Sequence, residues 1–250
     1  MNPSTAAARV VVAELIRHGV AHVVLAPGSR SAPLAYAVVA AADRGDLHLH
    51  VRIDERVAAF TALGLAHVSG PVAVVTTSGT AVANLHPAVL EAAHAGLPLV
   101  VLTADRPHEL RGTGANQTTD QVRIFGSSVR FFADVPAPVG RAQEAADLRN
   151  LLSRAVAAAA GVRTGDPGPV HLDLAFREPL VPEAHDASEL ENTARGVATV
   201  ARSHIDVPVP MPPGPRTVVV AGDRAGAAAR QLAEAARLPL LAEPSSGVRG

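Results

Sequence analysis

Six short apolar runs punctuate the first 175 or so residues, at 22–25, 47–53, 72–75, 99–102, 129–132 and 170–174. Most are rich in Val, Leu and Ile, 47–53 alternates them with His and Arg, 129–132 is Val-Arg-Phe-Phe, and each is too short for a buried helix, so each reads as a strand. Ala-rich stretches of helical length separate them, at 32–42, 55–67, 80–95 and 142–160. A further helix at 5–17 opens the chain, capped by Ser4-Thr5, with Val10, Val11, Leu15 and Ile16 on its apolar face. A short helix is expected over 118–125. Strands alternating with helices make βαβ units. The prediction is an α/β fold over residues 1–180: a doubly wound, mainly parallel six-stranded sheet.

The texture changes after that. Pro182, Pro208, Pro210, Pro212, Pro213 and Pro215 mark residues 181–216 as a linker. Residues 217–250 then open a second strand–turn–helix–strand. A piece of that size cannot bury its own core. It is expected to be the incomplete start of a further α/β domain.

Composition excludes several classes of function. The net charge of −1 gives no attraction to nucleic acid or anionic membranes. There is no Cys, hence no disulfide or thiolate site, and no Lys, hence no Schiff-base or P-loop lysine chemistry. No apolar run approaches the roughly 20 residues of a membrane span, and residues 1–5 do not resemble a signal peptide. A cytoplasmic protein is expected. His48 and His50 share one strand face, with no carboxylate at metal-binding spacing. No metal ligand is expected in this chain.

Three strand-to-helix handovers carry the candidate chemistry. One is Arg52-Ile53-Asp54-Glu55-Arg56, where a carboxylate pair opens a helix. Either Glu55 is a helix-end charge or it is the centre of a cofactor site. The others are Pro27-Gly28-Ser29-Arg30-Ser31 and Thr77-Ser78-Gly79-Thr80, turns whose small residues allow close approach of a flat ring or an anion. In an open α/β sheet, ligands bind outside the carboxyl ends of the strands. Arg30 and Arg106 both follow such ends. As a convergent pair they suit a substrate with more than one carboxylate; as separate residues they are surface ion-pair partners. Asn116 and Gln117, after the Gly112–Gly114 loop, supply neutral hydrogen bonds.

Together with Ala104-Asp105-Arg106-Pro107 and Gly114-Ala115-Asn116-Gln117, these stretches resemble the pyrimidine-binding domain of the thiamine-diphosphate enzymes. More narrowly, the ordered set is similar to the menaquinone-biosynthesis branch of that family. The resemblance implies a transferase that uses thiamine diphosphate, with Mg²⁺ or Mn²⁺ held by a C-terminal domain that these residues do not contain. It implies that Glu55 hydrogen-bonds the cofactor's aminopyrimidine ring, and that Pro27, Thr77, Ser78 and Gly79 line the ring. Ser29, Arg30, Arg106, Asn116 and Gln117 would face the substrates, 2-oxoglutarate and isochorismate. The former would lose carbon dioxide and the resulting carbanion would add to the latter. The resemblance also implies a homodimer or homotetramer of the complete protein, and an inactive chain when residues 1–250 stand alone. Two alternatives stay open: an acetolactate-synthase-like or decarboxylase relative, and a non-catalytic α/β ligand-binding or assembly module.

Overall fold

A computed structural model of the chain describes residues 1–183, 214 and 216–248. It divides into two compact units, Met1–Arg202 and Ser203–Gly250. The first contains the six strands: β1 (His22–Leu25), β2 (His48–Val51), β3 (Val72–Thr76), β4 (Leu99–Asp105), β5 (Phe131–Val135) and β6 (Val170–Ala175). All pair in parallel, in the order β2-β1-β3-β4-β6-β5. The chain leaves β1 for β2 on one side and returns to β3 on the other, so the topological switch lies between β1 and β3.

Helices cover both faces. On one side α1 (Pro3–Arg17), α2 (Ala32–Asp43) and α6 (Glu144–Ala159) pack Val11, Leu15, Leu34, Val38 and Leu152 against Leu25, Val75, Leu102 and Leu172. On the other, α3 (Glu55–Ser69) and α5 (His86–His94) set Ala59, Ala62, Val89 and Ala92 on Val24, Val74 and Val101. Strands β3, β4 and β6 are buried along their whole length. That is why they read as continuous aliphatic runs and not as alternating ones. Among the described residues, no helix is long and apolar enough to cross a membrane.

Several boundaries differ from the sequence reading, each for a physical reason. The cap of α1 is Asn2, whose side chain accepts from Thr5 N at 2.8 Å, with Pro3 in the first turn. Ser4 and Thr5 lie inside the helix instead, and Ser4 Oγ donates to the Arg177 carbonyl. The helix expected over 80–95 is two: α4 (Thr80–Ala83) and α5. Pro87 has no N–H to offer the Ala83 carbonyl, and its ring crowds that position. Residues 118–125 form no α-helix: 118–121 are irregular and 122–125 are turns, with Arg123 at positive φ (57°), as is Gln117 just before them (54°). Strand β2 stops at Val51 because its one partner, β1, ends at the paired Leu25. Strand β5 runs over 131–135, two residues later than its expected start, in register with β6 from Phe131↔Val170.

In the second unit, β7 (Val219–Ala221) and β8 (Leu240–Ala242) form a two-stranded parallel pair joined through α7 (Gly226–Ala236). Most of the expected linker, 181–216, lies outside the described residues.

Candidate functional site

The turns after β1 and β3 meet at the switch point. A Cβ on Gly28 would lie 2.3 Å from the Thr77 Cβ, so no other residue lets these two turns pack. Ser31 Oγ donates to the Gly28 carbonyl at 3.0 Å and holds that turn. Pro27 and Ser29 are exposed on it. Gly79 has φ 84°, and a Cβ there would come within 2.9 Å of Gln117. Thr77 and Ser78 are buried beside it. The result is a cradle of bare backbone whose two glycine faces are covered by Thr77 and Gln117.

Arg106 lies over this cradle. Its Nη1 donates to Ser78 Oγ and its Nη2 to the Asn116 carbonyl at 2.7 Å. Ser78 Oγ in turn donates to the Gln117 carbonyl at 3.0 Å, and Gln117 Nε2 donates back to Ser78 O at 3.0 Å. Arg106, Ser78, Gly79, Asn116 and Gln117 thus form one group, to which Asn116 contributes its backbone carbonyl.

Arg30 is buried, with Nη1 on the Phe176 carbonyl at 2.9 Å and Nη2 3.9 Å from Glu178. Its buried Nε has no hydrogen-bond partner. Burial, and then the charge of Arg106, lower its pKa. Two guanidiniums therefore sense each other at this end of the sheet, an arrangement that an anion between them would relieve.

Glu55 is the first residue of α3. Asp54 is the cap, accepting from Val57 N at 2.8 Å, which leaves the Glu55 carboxylate unused by the helix end. Asn84, where α4 gives way to α5, reaches Glu55 Oε2 at 3.4 Å. Glu55 is half-buried. Ile53, Val57 and Phe60 beside it are exposed, Ile53 at 80%.

Beneath the site is a buried polar cluster that the sequence reading missed. Asp105 ends β4, Asp173 lies two residues before the end of β6, and both are 0% exposed. Arg111 Nη2 lies 2.8 Å from Asp105 and 3.7 Å from Asp173, and its Nη1 pairs with Asp134. Burial, then the neighbouring Asp105 carboxylate, push Asp173 up to about 7. Burial also raises Asp105. His171, packed between Phe125 and Phe132, is pushed down to about 3 by burial. A charged residue inside an otherwise aliphatic strand, as in Val170-His171-Leu172-Asp173-Leu174, was the available signal. A cavity of about 390 Å³ opens among Asp105, Arg111, Gly114, Thr118 and Gln121. A larger one, of about 640 Å³, lies elsewhere, among Val11, Val135, Leu148, Leu151 and Phe176, and contains none of the candidate residues.

His48 and His50 join His22. The His22 and His48 rings stack at 5.1 Å, and His22 Nδ1 lies 3.1 Å from His50 Nε2. No group of three or more His, Asp or Glu positioned for a metal ion occurs among the described residues.

Residues 5–124 match the family model described as thiamine pyrophosphate enzyme, N-terminal TPP binding domain. The whole chain is also similar to proteins named 2-succinyl-5-enolpyruvyl-6-hydroxy-3-cyclohexene-1-carboxylate synthase. That of Kineococcus radiotolerans is 61% identical over 255 residues, covering 100% of this chain and 45% of the relative. Those of Rhodococcus jostii and Thermobifida fusca are 51% and 52% identical, each covering 100% of this chain and 46% of the relative. The chain spans about half the length of the curated relatives it matches.

Proposed function

Because residues 5–124 belong to the thiamine pyrophosphate enzyme family through its N-terminal TPP binding domain, we propose that this chain is the pyrimidine-binding part of a larger synthase. The complete protein decarboxylates 2-oxoglutarate and transfers the remaining carbanion to isochorismate in menaquinone biosynthesis, in the cytoplasm. The observation that carries the substrate reading is the pair Arg30 and Arg106 at one end of the sheet, with the Arg30 Nε buried and unpartnered. Two planar cations suit a pair of carboxylate-bearing substrates better than a small monocarboxylate.

The residues present fit the cofactor's ring. Glu55, half-buried at the start of α3, offers a carboxylate that the helix cap does not use, and Gly79 keeps the nearby turn free of a side chain of its own. Glu55 would hold the proton shared with a ring nitrogen, and Pro27, Thr77, Ser78 and Gly79 would line the ring. When bound, thiamine diphosphate supplies the carbon nucleophile and the electron sink for decarboxylation. Arg30, Arg106, Ser29, Asn116 and Gln117 would orient the substrate carboxylates and hydroxyls. The burial of Thr77 and Ser78 helps to keep water from that side of the ring.

The diphosphate and its Mg²⁺ or Mn²⁺ are assigned to a part of the complete protein outside these 250 residues. The exposed Ile53, Val57 and Phe60, beside Glu55, favour a homodimer or homotetramer in which another subunit covers this end of the site.

The test is Glu55→Gln in the complete protein. Turnover should fall by about 10²–10⁴, the range of a positioned proton-transfer group, with cofactor affinity largely kept. Wild-type turnover would reduce Glu55 to a helix-end charge and remove the centre of the proposed site.

A further inference from the structure

The Ser78–Gly79 peptide group is held at both edges by glutamine side chains. Its carbonyl, Ser78 O, accepts from Gln117 Nε2 at 3.0 Å. Its N–H, on Gly79, donates to Gln121 Oε1 at 2.8 Å. The two clamps differ in kind. Gln117 is exposed, while Gln121 is 1% exposed. The Gln121 amide is itself fixed, since Nε2 donates to Asp173 Oδ1 at 2.8 Å and to the Ala104 carbonyl at 3.2 Å. Those two acceptors dictate which end of the amide faces Gly79. Asp173 Oδ1 is held in turn by Thr103 Oγ1 at 2.7 Å. The same cluster reaches Arg106, whose backbone N–H donates to Asp105 Oδ1 at 2.7 Å.

We propose that Gln121 is a positioning residue for the Ser78–Gly79 peptide plane, anchored by Asp173, so that one buried unit sets both the ring-facing turn and Arg106. The functional half of this rests on the reading that the turn lines the thiamine ring. Gly79 is at positive φ and has no side chain to resist a rotation of the plane. Without Gln121, its N–H would lose its one buried acceptor, and a flipped plane would turn the Ser78 carbonyl away from Gln117. The turn would then present different groups to whatever lies on it.

Amide exchange on the 250-residue chain tests the structural half without any cofactor. In Gln121→Met, which keeps the shape and loses the amide, Gly79 should exchange at least about tenfold faster, while Val101 in β4 stays within about twofold of wild type. Asp173→Asn keeps an acceptor for Gln121 and should leave Gly79 within about threefold; Asp173→Leu should behave as Gln121→Met does. If Gln121→Met does not fold, Gln121→Asn, one methylene too short to span both partners, takes its place. Unchanged exchange at Gly79 overturns the proposal. So does acceleration shared equally by Val101, which would mark Gln121 as merely structural. The functional half is read in the complete protein: Gln121→Met should lower kcat at least about tenfold with the KM for 2-oxoglutarate little changed. Normal kcat with a loosened Gly79 would overturn the assigned link to catalysis, while Glu55→Gln independently tests whether the turn belongs to a thiamine site.

Discussion

Gly28 and Thr77 come from strands 50 residues apart, yet each decides what the other can be. The Cβ that any other residue would place at Gly28 lies 2.3–2.7 Å from three Thr77 side-chain atoms. Gly28→Ala should therefore cost about 1–3 kcal/mol, the usual penalty of overpacking a tight contact, read as a lower urea midpoint. Gly28→Ala combined with Thr77→Gly, which removes all three of those atoms, should recover part of that loss; no recovery would mean that Gly28 is needed for its backbone and not for the space. Arg106 is a second case. Its fork spans Ser78 Oγ and the Asn116 carbonyl. In the complete protein, Arg106→Ala should lower kcat/KM by about 30-fold or more. Arg106→Lys should recover only part, since an ammonium cannot reproduce the fork. An Arg106 variant defective in cofactor binding alone would move this residue out of the substrate site. Both residues were legible in the sequence because strand, turn and helix signals flank them. Gln121 was not: a polar residue in a polar loop carries no sign that it is buried. Asn2 was overlooked for a related reason, because Ser4-Thr5 offers an equally good capping pattern two residues later.

At the scale of elements, the apolar runs identified all six strands of the large sheet; β3, β4 and β6, buried on both faces, need no polar alternation, while the edge strands β2 and β5 carry His and Asp among their apolar residues. What they did not reveal is that β4 and β6 carry a buried polar patch, where Thr103, Asp105, His171 and Asp173 are all 0% exposed. The patch has a pH signature. Asp173 is raised from 3.8 to about 7. The folded state binds its proton more tightly, so its contribution is fully present below pH 3.8 and is lost as pH rises through about 7. His171 is lowered from 6.5 to about 3. Its contribution is present above pH 6.5 and is lost as pH falls through about 3. Between pH 3.8 and 6.5 the two slopes oppose each other. Asp105 tilts the balance in the same direction as Asp173, while Arg111 opposes the upward shift of both acids. Asp134 is the remaining charged group facing His171, and it raises the pKa that burial lowers. Removing one member should unmask the other. Relative to wild type, Asp173→Asn should lose stability on acidification through this window, by at most about 1.4 kcal/mol per pH unit. His171→Gln should lose it as pH rises. Urea titrations from pH 4.5 to 7 would show both; parallel wild-type and variant curves would mean that neither group is perturbed in the folded state.

The chain divides into two compact units, Met1–Arg202 and Ser203–Gly250, whereas proline content and length placed the expected boundary in a linker over 181–216. Strand order was not legible, because hydrophobic runs do not say which neighbour each strand takes. The switch between β1 and β3, and hence the meeting of the two glycine turns, appears only once the sheet is assembled. The smaller unit offers the clearest test of how stability is distributed. Among its described residues, β7 pairs with β8 alone, and α7 buries only Ala233. Val220 and Leu241 are 64% and 60% exposed. Strand β3, by contrast, has a neighbour on each side and helices on both faces, and all five of its residues are buried. Amides in β7 should then open through local fluctuations, while those in β3 open only with the large unit. In the 250-residue chain, exchange at Val219–Ala221 should be about 100-fold or more faster than at Val72–Thr76. In the complete protein, further strands would extend the β7–β8 pair and supply the missing neighbours. The β7 amides should slow there toward the rate of β3. Equal protection of β7 and β3 in the 250-residue chain would show that residues 217–248 complete a core of their own, and that they are not the opening of a larger domain.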